Sequence, residues 1–418
     1  MVTKKRTIKA PWSLKLFKRV SIIAVVFILF SAWWPLEGVP EASGKRTFSW
    51  SGWSALFNKK EFGLKVNYYP VTTLKGIDGP YLTDDKVYRV DTNQQIVSTP
   101  LIDIDSLEIK VDNRSSDVFF IKKRNDYKIA PSSYSLPEKI IAISDIEGNF
   151  NAFSSFLFNN GIIDKNFNWS FSNGHVVLVG DFVDRGSDVT QVLWLIYKLE
   201  KQAQQKGGQV HYILGNHEIM NFQGDSRYNQ EKYIRVAQAI SGFEECEDAV
   251  RFMYSEATEL GKWIRTKNAI EKIGPYLFVH GGLHPEIITY NAGLEEINQT
   301  IRNNWDQDVF RSPLKDEFAH FLLERNGPLW YRGMAINYKY YKKIREGDLQ
   351  EILNFYEAEK VIIGHTVVPD ISTDYSGRII KIDLKHGKEK NSGKTKGLLI
   401  EKGVEFKIDD LGNKELLR

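Results

Sequence analysis

One cysteine in 418 residues, Cys246, excludes an internal disulfide and a cysteine-rich zinc site. An ordinary packed thiol is its expected state. The sequence holds no low-complexity tract and no repeat at solenoid period. Residues 1–19 contain no acid, yet carry seven of the 56 Lys and Arg residues (4, 5, 6, 9, 15, 18, 19). The net charge of +3 therefore belongs to the N-terminus. The rest of the chain has 49 basic against 53 acidic residues, a balance of −4. A mildly acidic body gives no argument for nucleic acid as a partner.

Long apolar runs are also lacking, with one near miss. VSIIAVVFILFSAWW (20–34) has fifteen residues, where a span needs roughly 20. Pro35 and Leu36 extend it, and Trp33 and Trp34 suit a headgroup belt. The basic cluster before it (1–19) favours an N-terminus held in the cytoplasm. A cleavable signal peptide has an apolar stretch of similar length, but LEGVPEASG offers no small-x-small cleavage site. The expectation is an uncleaved single-pass transmembrane anchor over 20–36, with the body on the extracytoplasmic, periplasmic side of the membrane.

What is present comes in two rhythms. Residues 37–60 read as a tether, and 61–135 as a β-rich extension, expected to pack on the body or to space it from the membrane, with alternating runs KVYRV (86–90), LIDIDSLEIKV (101–111) and DVFFIKK (117–123). From 138 to 418 short β-branched runs alternate with helical stretches, which implies an α/β architecture. The runs KIIAIS (139–144), HVVLVG (175–180), QVHYILG (209–215), YLFVH (276–280) and KVIIGH (360–365) read as strands. Two long helical stretches, roughly 228–272 and 293–325, are expected to pack over sheet edges or to cap a pocket.

Each strand end delivers polar groups, where ligands of such folds sit. After the five strands come, in order, Asp145 and Glu147; Asp181, Asp184 and Arg185 in GDFVDRG; Asn216, His217 and Glu218 in GNHE; His280 in HGG; and His365 in GHT. Singly, an Asp here is often a helix cap and a His an ordinary core residue. Together, five exits rich in carboxylate and imidazole suit a metal centre. In an extended segment residues i and i+2 share a side, so Asp145 and Glu147 are expected to reach one ion. Two ions roughly 3.5–4 Å apart form a clamp for in-line displacement at phosphorus by an activated hydroxide.

GDFVDRG, GNHE, HGG and GHT resemble the calcineurin-like metallophosphoesterase superfamily in its phosphoprotein phosphatase branch. GNHEIMNFQGDSRY (215–228) and GPLWYRG (327–333) are similar to the Shewanella-like protein phosphatases. The resemblance covers about 139–410, leaving the anchor and the β-rich extension outside. It implies a four-layer α/β/β/α sandwich and two divalent metal ions, manganese first, with iron, zinc or magnesium as alternatives. It implies that Asp145 and Glu147 hold the first ion, Asp181 bridges, and Asn216, His280 and His365 hold the second. His217, oriented by Asp184, protonates the leaving oxygen; Arg185 and Arg332 grip the phosphate. Glu218 supports the ligands, and Arg227 is a candidate substrate contact. The other histidines, 175, 211, 284, 320 and 386, match no motif and are read as structural or exposed.

One position departs from the pattern. The family reads Asp-x-His-Gly, and this chain reads Asp145-Ile146-Glu147-Gly148. A carboxylate favours harder ions than imidazole does, and its extra negative charge is expected to move activity toward alkaline pH. The implied activity is hydrolysis of phosphomonoesters, with a phosphoserine or phosphothreonine protein first. A periplasmic small-molecule or nucleotide phosphatase and an inactive membrane-tethered scaffold are the alternatives.

Overall fold

The computed structural model describes residues 16–17, 19–26, 37–40, 46–50, 62–66, 74–102 and 106–418. The chain divides into two compact units, residues 1–70 and 71–418. In the first, residues 19–26 are helical. Strands β1 (Glu37–Pro40), β2 (Arg46–Trp50) and β3 (Phe62–Val66) form an antiparallel sheet in that order, so the stretch read as a tether supplies two strands. Among the described residues no helix is long and apolar enough to cross a membrane. Of the expected anchor only residues 20–26 are described; the remainder lies outside the described residues.

The second unit begins with the antiparallel strands β4 (Asp78–Leu82), β5 (Lys86–Val90) and β6 (Ile96–Pro100), then the pair β7 (Leu107–Lys110) and β8 (Val118–Ile121). Two six-stranded sheets follow. The first has β10 (Lys139–Ile143), β11 (His175–Val179), β12 (Gln209–Ile213), β18 (Lys396–Glu401), β19 (Val404–Asp409) and β20 (Lys414–Leu416), ordered β12-β11-β10-β18-β19-β20. The second has β9 (Ser133–Tyr134), β13 (Ile270–Ile273), β14 (Tyr276–Val279), β15 (Lys360–Ile363), β16 (Ser372–Asp374) and β17 (Ile379–Lys381), ordered β16-β17-β15-β14-β13-β9.

Strand period explains the layers. In β10, Ile140 and Ala142 enter a core shared with Phe278, Ile362 and Ile380 of the other sheet. Ile141 and Ile143 face the opposite way, into a core with Phe153, Phe156 and Trp194 of the helices Phe150–Asn159 and Val189–Gln205. Val177 and Val179 of β11 and Phe278 of β14 repeat the inward pattern. Successive side chains point to opposite faces, so strands that are apolar at every position are buried on both. Each such residue contributes about 1.5–3 kcal/mol on burial. The result is the expected α/β/β/α sandwich.

One feature differs from the sequence reading. The long helical stretches are broken: 228–272 resolves into Glu231–Ser241, Cys246–Met253 and Glu259–Ile264 followed by strand β13, and 293–325 into Leu294–Asn304 and Glu317–Leu323. Gly242 ends the first of these at φ 78, a left-handed stop. Thr258 and Asp316 start two others by accepting backbone N–H bonds. Apolar periodicity carries across such breaks because each piece still buries one face.

Of the two places open to the β-rich extension, its part in the second unit takes the one on the body. β9 pairs in parallel with β13, Trp194 donates its indole N–H to Pro80 O at 2.8 Å, and buried Asp78 pairs with Lys232 at 2.6 Å. Arg124 meets Glu200 at 3.2 Å, which also pairs with Lys267 at 2.7 Å.

Candidate metal centre

The carboxyl ends of β10, β11, β12, β14 and β15 deliver the motif residues to one edge of the sandwich. Their backbones remain laced together past the strands: Asp145 N–H donates to Gly180 O, Glu147 N–H to Asp181 O, and Gly364 N–H to His280 O, each at 2.9 Å. Six motif residues sit at positive φ: Asp145 (54°), Glu147 (50°), Asp181 (60°), Asp184 (69°), Arg185 (52°) and His365 (60°). Left-handed non-glycine residues are uncommon and cluster at functional sites. This overturns one step of the sequence argument. The segment holding Asp145 and Glu147 is not extended, so the same-side rule does not govern where they point.

Asp145, Asp181, Asp184, Asn216, His217, Glu218, His280 and His365 are all at most 8% exposed. Burying so many polar groups is costly unless they satisfy one another or a bound ion. Asp181, His280 and His365 offer ligand atoms within 4.8 Å of one another. His280 Nδ1 lies 2.8 Å from Val179 O. Its Nε2 therefore faces Asp181 Oδ2 at 3.0 Å and Asn216 Oδ1 at 3.1 Å. His365 Nε2 is 3.1 Å from Trp330 O, and the His365 backbone N–H donates to Asp145 Oδ2 at 3.1 Å. Clearance comes from glycine: a Cβ on Gly364 would sit 2.7 Å from Asp145 Oδ2, and one on Gly215 would overlap Asp181 Oδ1.

The model of the calcineurin-like phosphoesterases matches residues 138–369. The chain belongs to the calcineurin-like phosphoesterase family. It is 31% identical to Shewanella-like protein phosphatase 1 of Plasmodium berghei over 55% of this chain and 62% of that protein. It is 30% identical to Shewanella-like protein phosphatase 2 of Arabidopsis thaliana over 42% and 54%. The chain thus spans less than two thirds of these curated relatives. A crystal structure titled as a cold-active protein-tyrosine phosphatase of a psychrophilic Shewanella superposes with a TM-score of 0.70 at 30% identity, covering 82% of this chain and all of that one. That share is about 343 residues, more than the 281 between 138 and 418, so the likeness extends into the β-rich region that the sequence reading placed outside it.

Calcineurin-like phosphoesterases work with divalent ions, and the donors here fit: buried carboxylates, an amide oxygen, and imidazoles whose far nitrogens meet backbone carbonyls, the arrangement that orients ligating histidines. The histidine and aspartate expected to act together also meet. His217 Nδ1 lies 2.6 Å from Asp184 Oδ2, and its Nε2 is 3.8 Å from Asp181 Oδ2. Arg332 donates to His365 O at 2.6 Å and to Thr366 Oγ1 at 3.3 Å. Arg185 forms an ion pair with Glu147 and lies 5.1 Å from the Tyr228 ring centroid. The residue in the family's histidine place is thus engaged with an arginine expected to bind phosphate. Arg227 pairs with Asp225 at 2.6 Å.

Electrostatics follow from burial and proximity. Burial favours neutral Asp181, but the charges of His280 and His217 outweigh it and hold the carboxyl well below its usual range. Burial likewise opposes protonation of His280, yet Asp181 pulls it up to about 10. His365 goes the other way: burial, then the charges of His280 and Arg332, drive it well down. Burial pushes Asp145 up to about 6.

The sequence reading named Glu218 as a support; Asn221 and Asn229 escaped it. The Glu218 carboxylate accepts N–H bonds from Asp181 and Phe182 at 2.9 Å and Gly215 at 2.7 Å, plus the Tyr212 hydroxyl at 2.9 Å; it ties two ligand loops together. Asn221 and Asn229 donate to Asp184 Oδ1. Asn221 stands four residues beyond His217 on one helix, a spacing that places both on one face. Of the unassigned histidines, His211 is buried against Glu271 at 2.7 Å, and His386 Nε2 is 2.8 Å from Ser144 O. Cys246 is buried, with the Gln238 side-chain amide 3.8 Å from its sulfur.

Proposed function

We propose that this chain is a metal-dependent phosphomonoester hydrolase acting on phosphorylated proteins. The observation that carries the reading is the buried convergence of Asp181, His280 and His365 beside the His217–Asp184 pair. Asp145, Glu147, Asp181, Asn216, His280 and His365 would hold two divalent cations, manganese being our first expectation. Such ions neutralise phosphoryl oxygens and supply a nucleophile at neutral pH. Arg185 and Arg332 receive the phosphate, since a guanidinium fork matches its oxygens. Water adds to phosphorus, the P–O bond to the alcohol breaks, and His217 gives the leaving oxygen its proton while Asp184 fixes the ring.

The motifs favour phosphoserine and phosphothreonine. A second reading, phosphotyrosine, is favoured by rings around the centre: Tyr228 is 4.8 Å from the His217 ring and 41% exposed, and Trp330 lies 6.0 Å from His365. The solved Shewanella relative is described as a protein-tyrosine phosphatase. Metal content and p-nitrophenyl phosphate turnover separate enzyme from inactive scaffold: no bound manganese and no turnover above an Asp181→Asn variant would end the proposal. Matched phosphopeptides against nucleotides separate protein from small-molecule substrates.

We further propose a single-pass anchor at 20–36 with the enzyme on the periplasmic side. Seven basic residues ahead of an apolar run ending in two tryptophans support it. Retention in membranes after alkaline wash is expected, and full release would refute it.

A further inference from the structure

The exit of a sixth strand carries a residue that none of the motifs contains. β15 and β17 pair in parallel, with Ile363 opposite Lys381. The ladder runs on, because Ile382 N–H donates to Ile363 O at 2.9 Å. Two residues past that register, Asp383 stands level with His365, and neighbouring strands lie about 4.8 Å apart. Asp383 O accepts the Val368 N–H at 3.0 Å, which fixes its backbone beside the GHT loop.

The side chain is 2% exposed, and its carboxylate makes no hydrogen bond or ion pair with any described residue. The charges acting on it are those of the centre: Asp145, His280, Asp181 and Arg332. Burial and the two neighbouring carboxylates push its pKa well up. Burying a carboxylate near two others, with no cation paired to it, is costly in a folded chain. A divalent cation among the three removes that conflict. Glu147, meanwhile, is drawn toward Arg185, so one oxygen donor of the first ion is shared with an arginine.

We infer that Asp383 is a carboxylate of the metal centre, serving one of the two cations directly or through a single water. This rests on the two-cation reading above. It adds a donor that the family motifs do not name, and it offsets the partial diversion of Glu147.

The test uses the full-length protein, stripped with chelator and titrated with manganese, with Asp383→Asn beside wild type. We expect two manganese per wild-type chain. In D383N one of the two should bind about ten- to hundredfold more weakly, as for lost supports of metal ligands. Metal-free D383N should be as thermally stable as metal-free wild type or more so, since a carboxyl that burial must hold protonated is gone. Manganese should then raise its Tm less than it raises that of wild type. A purely structural Asp383 would instead lower Tm in both states.

Two manganese bound by D383N with wild-type affinity overturn the inference while sparing the two-cation reading; so does a change confined to KM, which would assign Asp383 to Arg332. Failure of wild type to bind manganese removes the underlying reading itself. Should D383N not fold, anomalous diffraction from manganese-loaded wild-type crystals decides. An ion within direct or one-water reach of Asp383 supports the inference, and none within that reach overturns it.

Discussion

At the scale of single residues, the centre separates proton delivery from charge. His217 meets Asp184 at 2.6 Å, and burial, offset by Asp181 and Asp184, leaves its pKa raised. A raised pKa suits the proton-donor role proposed for this histidine. His217→Asn should therefore lower kcat about 10²–10⁴-fold on an alkyl phosphate. The loss should be much smaller on p-nitrophenyl phosphate, whose leaving group departs without a proton. Equal losses on both substrates, measured by steady-state kinetics, would contradict this role. Glu147→His has a predicted sign as well. Removing one carboxylate leaves the cations less neutralised, so the pH–rate profile should move to lower pH. Metal analysis of the same variant should show no loss of ions.

At the scale of elements, strand exits hold ligands only because the loops between them pack without clearance. Gly215 has no room for a methyl group beside Asp181. Gly215→Ala should weaken manganese binding and cost about 1–3 kcal/mol of stability by overpacking, read by denaturant unfolding. The opposite ends of the strands carry a different polar contact. His175 at the start of β11 lies 3.0 Å from His211, and burial together with that neighbour holds its pKa near 4, below 6.5. A depressed histidine is neutral in the fold. Its contribution is complete above pH 6.5 and is lost as pH falls toward 4. Wild type should lose more stability across that window than His175→Gln, and identical pH dependence of the two would exclude it.

At the scale of the whole molecule, the unit boundary at residue 70 differs from the boundary at 138 that composition and motifs suggested. Asp78–Lys232, Arg124–Glu200 and Trp194–Pro80 cross the latter. A chain starting at Val71 should therefore fold with the Tm of the full-length catalytic unit. A chain starting at Glu138 takes Arg124 from Glu200, Asp78 from Lys232 and the Pro80 carbonyl from Trp194 in buried surroundings, and should be insoluble or unfold many degrees lower. Circular dichroism melts of the two chains check this.

The sequence by itself determined the strands, their two-faced burial and the identity of most groups at their ends, because apolar period and glycine-flanked polar exits are local properties. It named Asp181, Asn216, His217, His280 and His365, which share one buried edge. Only the tertiary structure decided the left-handed backbones of six motif residues, the breaks in the helical stretches, the union of the β-rich region with the body and the place of Asp383. Each of these depends on groups far apart in the chain: a register between β15 and β17, a carbonyl across a loop, an ion pair over more than 70 residues. Periodicity along a chain carries no record of which distant segment lies opposite.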